Sequence, residues 1–190
     1  MNKVGDAART LRRLGKITSV ALSLVVVAIA LVNALVPNLG ILRRYTVSSS
    51  SMEPTLHCAN TVGCKKLKPD HILASRVPYL YGDPKRGDIV VVKLSSRHRA
   101  CDGSLVVKRI VGVPGDEVIH DHMNVIINGY NETGAHTTRS DVVRDKAKVK
   151  RLGANHYLVL GDNRRQSCDS REYGEIERQE IQGKMITKVP

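Results

Sequence analysis

From Ile17 to Val36 the chain carries no ionisable side chain, and most of the segment is Val, Leu, Ala and Ile. As a helix rising about 1.5 Å per residue, that length matches a hydrocarbon core of roughly 30 Å. Pro37, Asn38 and Gly40 close it. Lys3, Arg9, Arg12, Arg13 and Lys16 precede it against one acid, Asp6. Residues 1–16 are therefore expected as a cytoplasmic basic tail, 17–36 as a single transmembrane helix, and the remainder as an extracytoplasmic domain. Arg43 and Arg44 weaken the charge contrast without reversing it. A cleavable secretory leader has an apolar core of about 7 to 15 residues ending at a small-residue site. This segment is too long for that, so an uncleaved anchor is expected.

Beyond the anchor, residues 43–190 suffice for one domain. Phe and Trp are absent and aromatics make up only 3% of the chain, so the core must be built from Val, Ile and Leu. That composition favours a mainly β domain of antiparallel sheets over a helical bundle. The net charge of +12 suits attraction to anionic lipid headgroups. Nucleic-acid binding needs basic side chains interleaved with stacking aromatics, and with no Phe or Trp that partner is not expected. Cys58, Cys64, Cys101 and Cys168 allow three pairings in an oxidising compartment, among which the sequence does not choose. Their spacing does not match a zinc site, and no metal or cofactor is expected.

Ser48-Ser49-Ser50-Ser51-Met52-Glu53-Pro54-Thr55-Leu56 follows the anchor closely. Thr46 and Val47 before the run and Pro54 after it favour extended backbone, which would hold a serine hydroxyl in place. Such a hydroxyl is a poor nucleophile until a neighbouring group takes its proton. A candidate lies in Val106-Val107-Lys108-Arg109-Ile110-Val111-Gly112-Val113-Pro114-Gly115-Asp116, a β-branched run with two cations, stopped by a turn. Adjacent strand residues face opposite sides, so one of Lys108 and Arg109 should point inward. A lysine held among valines loses hydration of its charged form, and its pKa can fall to roughly 7 or 8, the range of a general base. Arginine cannot serve this way.

Ser-Met-Glu-Pro-Thr-Leu and Val-Lys-Arg-Ile-Val-Gly-Val-Pro-Gly-Asp resemble the nucleophile and lysine boxes of type I signal peptidases. Two more boxes follow that family's order: Arg86-Gly87-Asp88-Ile89-Val90-Val91, and Gly161-Asp162-Asn163-Arg164 with Ser167, Asp169, Ser170, Arg171 and Gly174. The resemblance runs from about residue 46 to 174. It implies twisted antiparallel sheets and a membrane-bound endopeptidase with a Ser51–Lys108 dyad. It further implies oxyanion donors at the Ser51 amide and Ser49 hydroxyl, and Ser167 orienting the Lys108 amine. The implied substrates are exported preproteins cut after small residues in an Ala-x-Ala pattern, with the export translocon as a further partner. The chain departs from the family where Arg165-Gln166 replaces Asp-Asn, which bears on the charge pairing of that loop and on the groove beside it.

The remaining segments frame these boxes. Arg86-Gly87-Asp88 runs straight into the apolar strand Ile89–Val92, so an adhesion role is set aside and Asp88 is expected to hold the start of that strand. Glu117–His120 and Asn124–Ile127 are expected to pair, followed by a tight turn at Asn128-Gly129. His120 and His122 are expected as exposed strand-end residues rather than metal ligands. Asn131-Glu132-Thr133 fits a glycan acceptor, and residues 131–151 are expected as a polar excursion from the main sheet. His156–Leu160 is expected as a core strand and Lys184–Val189 as an edge strand. Asp169 and Arg171, on one side of an extended segment, are expected to tie the last box down. Rival readings are a relative processing pilin-like or mitochondrial inner-membrane substrates, and an inactive anchored β-domain binding anionic membrane or a translocation partner. A self-cleaving repressor is disfavoured by the anchor.

Overall fold

The computed structural model describes residues 18–32, 41–59, 64, 68–98, 105–120, 125–132, 137–139 and 149–190. The chain divides into two compact units, residues 1–40 and 41–190. In the first, residues 18–32 form a helix, α1, whose residues are all exposed. Among the described residues no helix is long and apolar enough to cross a membrane. The described helix covers only the middle of the expected span; its ends and the basic tail lie outside the described residues.

The second unit is mainly β, as a core rich in Val, Ile and Leu favours. Its strands are β1 (Arg43–Thr46), β2 (His71–Ser75), β3 (Ile89–Lys93), β4 (Leu105–Gly112), β5 (Glu117–His120), β6 (Val125–Ile127), β7 (Tyr130–Glu132), β8 (Thr137–Arg139), β9 (Lys150–Arg151), β10 (His156–Leu160), β11 (Ile176–Glu177) and β12 (Ile181–Val189). They make a seven-stranded sheet in the order β1-β2-β12-β3-β4-β10-β11 and a five-stranded sheet in the order β8-β7-β6-β5-β9. All pairings are antiparallel.

The period-2 alternation of strands explains why Ile89–Val92 of β3 and Tyr157–Leu160 of β10 are apolar on both faces rather than striped. Val90 and Val92 enter one core cluster with Ile110, Tyr157, Val159, Ile176 and Ile181, while Val91 enters a second, on the other face, with Met52, Leu56 and Ile72. Leu158 and Leu160 join Val111, Leu152 and, from the smaller sheet, Val118, Val125 and Ile127. This third cluster joins the two sheets. β6 turns into β7 through Asn128 at φ 52° and Gly129 at φ 84°, the left-handed pair of a tight hairpin.

Two expectations need correction. The chain's last strand is not an edge: β12 lies between β2 and β3, hydrogen-bonded on both sides. Its lysines are ion-paired: Lys184 with Asp88 at 2.6 Å and Lys188 with Asp70 at 3.0 Å. The departure from the main sheet begins at Glu117 rather than 131, because β5 and β6 pair with each other and with β7 and β9. Asp88 accepts from the Tyr79 hydroxyl at 2.8 Å and the Lys85 amide at 3.0 Å, at the start of β3. The cysteine pairing left open by sequence is decided at one place, where Cys58 and Cys64 are bridged. Cys168 is also disulfide-bonded; Cys101, His122 and Thr133 lie outside the described residues, as does the His120 side chain.

Because Leu158 fills the joint between the sheets, Leu158→Ala is expected to lower the unfolding free energy by about 2–5 kcal/mol. Urea denaturation of the two proteins checks this, and a change below about 1 kcal/mol would show the joint to be loosely packed.

Candidate active site

The serine run is not extended, as its flanking residues suggested. Ser49 is extended at φ −127° and ψ 156°, but Ser50–Met52 wind into a single 3-10 turn closed by the Glu53 amide on Ser50 O at 3.1 Å. Met52 and Leu56 drive the turn inward by burying their side chains under β2 and β3. Glu53, also buried, fixes its far side by holding His57 Nδ1 at 2.6 Å and accepting the Cys58 amide at 3.3 Å. Ser51 is carried inward with the turn and is 7% exposed.

Lys108 lies on β4, which is flanked by β3 and β10, with Val90 directly across the ladder. Its side chain faces inward, leaving the residue 3% exposed, and its Nζ stands 2.7 Å from Ser51 Oγ. Burial lowers its pKa to about 8, from 10.5, with Arg171 adding to the fall while Asp169 and Asp162 oppose it. Arg109, one residue on, faces the other way and grips Asp162 through Nε at 2.8 Å and Nη2 at 2.6 Å. The strand's alternation thus separates the two cations into a buried amine and a paired guanidinium.

The segment after β10 backs the serine turn. Asn163 donates its amide to Ser51 O at 3.0 Å and its Nδ2 to Ser50 O at 3.1 Å. The Ser50 hydroxyl reaches Gln166 Oε1 at 3.4 Å. Asp169, fully buried, accepts from the Gly161 amide at 3.0 Å and from Arg171 Nε at 2.8 Å, and caps the one-turn helix α2 (Ser170–Tyr173). The expected Asp169–Arg171 tie therefore forms, but across a helix cap instead of along an extended segment. Arg171 also donates to Arg164 O and Ser167 O, at 2.7 and 3.3 Å. Ser49 Oγ lies 3.1 Å from Ser51 Oγ. Ser167 Oγ is buried without a hydrogen-bond partner, so it does not contact the Lys108 amine here. Among the described residues no group of three or more His, Cys, Asp or Glu could hold a metal ion.

The profile of the family described as signal peptidase, peptidase S26, matches residues 18–189. The chain belongs to this family. It is 33% identical over 143 residues to a probable signal peptidase I-2 of Synechocystis, covering 75% of this chain and 60% of that protein's length. It is 30% identical over 175 residues to signal peptidase IB of Staphylococcus aureus, covering 84% of this chain and 83% of the relative. A crystal structure of a signal peptidase I from Enterococcus faecalis matches 56% of this chain and 98% of its own at 25% identity, with a TM-score of 0.37.

In this member of the signal peptidase family, the structure gathers Ser49, Ser51 and Lys108 at one point and sets Asp169 and Arg171 in the loop behind them. Sequence reasoning gave no role to Asn163, Gln166 or the Arg109–Asp162 pair. A signal for the last was available: a guanidinium forced to the face opposite Lys108 needs a carboxylate there, and Asp162 stands in the next box. The Arg164–Glu132 pair, at 3.1 Å, joins the segment after β10 to β7 of the smaller sheet and left no such signal.

Gly161 is where these parts meet. A Cβ on it would stand 2.5 Å from Ser51 O and 2.2 Å from Ser167 Oγ. Gly161→Ala must therefore push the loop off the serine turn, at an expected cost of about 1–3 kcal/mol. Hydrogen exchange at the Asn163 amide should accelerate in the variant; unchanged protection would contradict this packing.

Proposed function

We propose that the chain is a membrane-anchored serine endopeptidase that removes N-terminal signal peptides from exported preproteins, with Ser51 as nucleophile and neutral Lys108 as general base. The observation that carries this reading is the 2.7 Å contact between a buried amine and a buried serine hydroxyl. Moving the lysine pKa from 10.5 to about 8 raises its neutral fraction near pH 7 roughly three-hundredfold. Neutral Nζ accepts the hydroxyl proton as Oγ attacks the scissile carbonyl. The Lys108 ammonium then protonates the leaving amine, and water activated by the regenerated base releases the acyl group from Ser51. Ser49 Oγ, beside the attacking oxygen, is placed to turn toward the developing oxyanion together with the Ser51 amide. Ser167 would orient the amine after a rotation of its unpaired hydroxyl.

Family membership supports preproteins as the substrate class, and the likeness of the boxes supports cleavage after small residues in an Ala-x-Ala pattern. The exposed Val, Leu and Ile of α1 support a membrane anchor at 17–36. Upstream cations favour a cytoplasmic N-terminus and a domain from residue 43 onward on the outer side. There it would meet substrates delivered by the translocon, with their apolar segments still in the bilayer.

The test is cleavage of a preprotein bearing an Ala-x-Ala site by the full chain in detergent. Ser51→Ala and Lys108→Ala are each expected to lower kcat/KM by at least about a thousandfold. Equal cleavage by all three proteins rejects the mechanism. Since the active base is the deprotonated amine, activity should rise with pH through about 8 and fall about tenfold per unit below it. A rate flat from pH 6 to roughly 9 would exclude Lys108 as the base.

A further inference from the structure

Four arginines surround the serine turn, and three are matched by carboxylates: Arg109 by Asp162, Arg164 by Glu132, and Arg171 by Asp169. The fourth, Arg165, is exposed, and among the described residues no carboxylate pairs with it. Its position is set from both sides. It is the middle residue of the 3-10 turn Arg164–Gln166; Gln166 is bound by the Ser50 hydroxyl, and Asn163, two residues before it, is bound to the Ser50 and Ser51 carbonyls. A full positive charge thus stands on the turn beside the serine turn, exposed to solvent.

We propose that Arg165 is a specificity-determining residue of this site, favouring substrates with an acidic side chain near the scissile bond and disfavouring a basic one. The inference rests on the peptidase reading above and deepens it. A peptide lying across Ser51 in extended form advances about 3.3 Å per residue, so three residues span about 10 Å, the range over which a cation on the adjoining turn acts in moderate salt. The pair is exposed and screened, so it tunes the rate without gating it. Opposite charges on two substrates act in opposite directions, and the discrimination is the product of the gain and the loss.

The experiment uses the full chain in a neutral detergent at low salt. Peptides share an Ala-x-Ala site and differ only in carrying Glu, Gln or Lys at single positions from the third residue before the cut to the third after it. At one or more positions the kcat/KM ratio of Glu to Lys peptides is expected to be about three- to tenfold, expressed mainly in KM and fading toward one at about 1 M salt. Arg165→Ala should bring the ratio close to one, Arg165→Glu should invert it, and Arg165→Lys should keep most of it. The pH limb near 8 should stay in place in all three variants.

A ratio unchanged in Arg165→Ala overturns the inference, as does one that changes only because the pH limb moves. If the wild-type protein cuts all the peptides at one rate, charge selection fails while the peptidase reading stands. If it cuts none of them, nor the unmodified preprotein, the peptidase reading fails and this inference with it. Loss of binding to phosphatidylglycerol vesicles in Arg165→Ala, with the peptide ratio untouched, would assign the cation to lipid and also overturn the proposal.

Discussion

An ammonium group withdrawn from water is the constraint around which this domain is arranged. Its charged form is disfavoured only while the surrounding strands exclude solvent, so Lys108 must sit on an inner strand with apolar neighbours on either side. β3 and β10 supply them, and the register sets Val90 opposite the lysine. Burial alone would not suffice, because two carboxylates lie close enough to hold the proton on. Asp162 is taken up by Arg109, and Asp169 by Arg171. Both carboxylates still raise the amine's pKa, against which burial and Arg171 act to lower it. The ion pairs behind the site thus do more than tie a loop. Arg171 also adds its charge to the effect of desolvation.

The same logic explains why the loop after β10 is polar although it packs against the core. Asp162, Arg164, Asp169 and Arg171 are all ion-paired, and the amide and Nδ2 of Asn163 go to the carbonyls of the serine turn. Gly161 permits the close approach that this requires. Arg164 extends the arrangement to the smaller sheet through Glu132, at 3.1 Å, so that sheet braces the loop as well as covering Leu158 and Leu160. Against this internally neutral background, a single exposed guanidinium at Arg165 has an effect that it would not have on an ordinary basic surface.

Much of the fold was legible from residue patterns. The apolar runs at 89–92, 105–112 and 156–160 marked core strands, the Asn128-Gly129 pair marked a hairpin, and the absence of Phe and Trp favoured sheets over a helical bundle. Errors arose where sequence separation was large. β12 pairs with β2 more than a hundred residues before it, and its ion-paired lysines look, in one dimension, the same as the charges that guard an edge. The 3-10 turn at Ser50–Met52 was hidden because local preference favoured extension, whereas burial of Met52 and Leu56 decided the backbone.

For the candidate site, the sequence by itself determined the chemistry available: a serine in a turn-closed run, a lysine in an apolar strand where no second cation could share its face, and acids and arginines in the last box. These follow from residue type and from the two-residue repeat of a strand, both local properties. Only the tertiary structure decided that amine and hydroxyl stand 2.7 Å apart and that the acids are already matched by arginines. It also left the Ser167 hydroxyl unpaired and Arg165 exposed. Distances between strands and the competition for each charge depend on which distant segments pack together, and no local pattern encodes that.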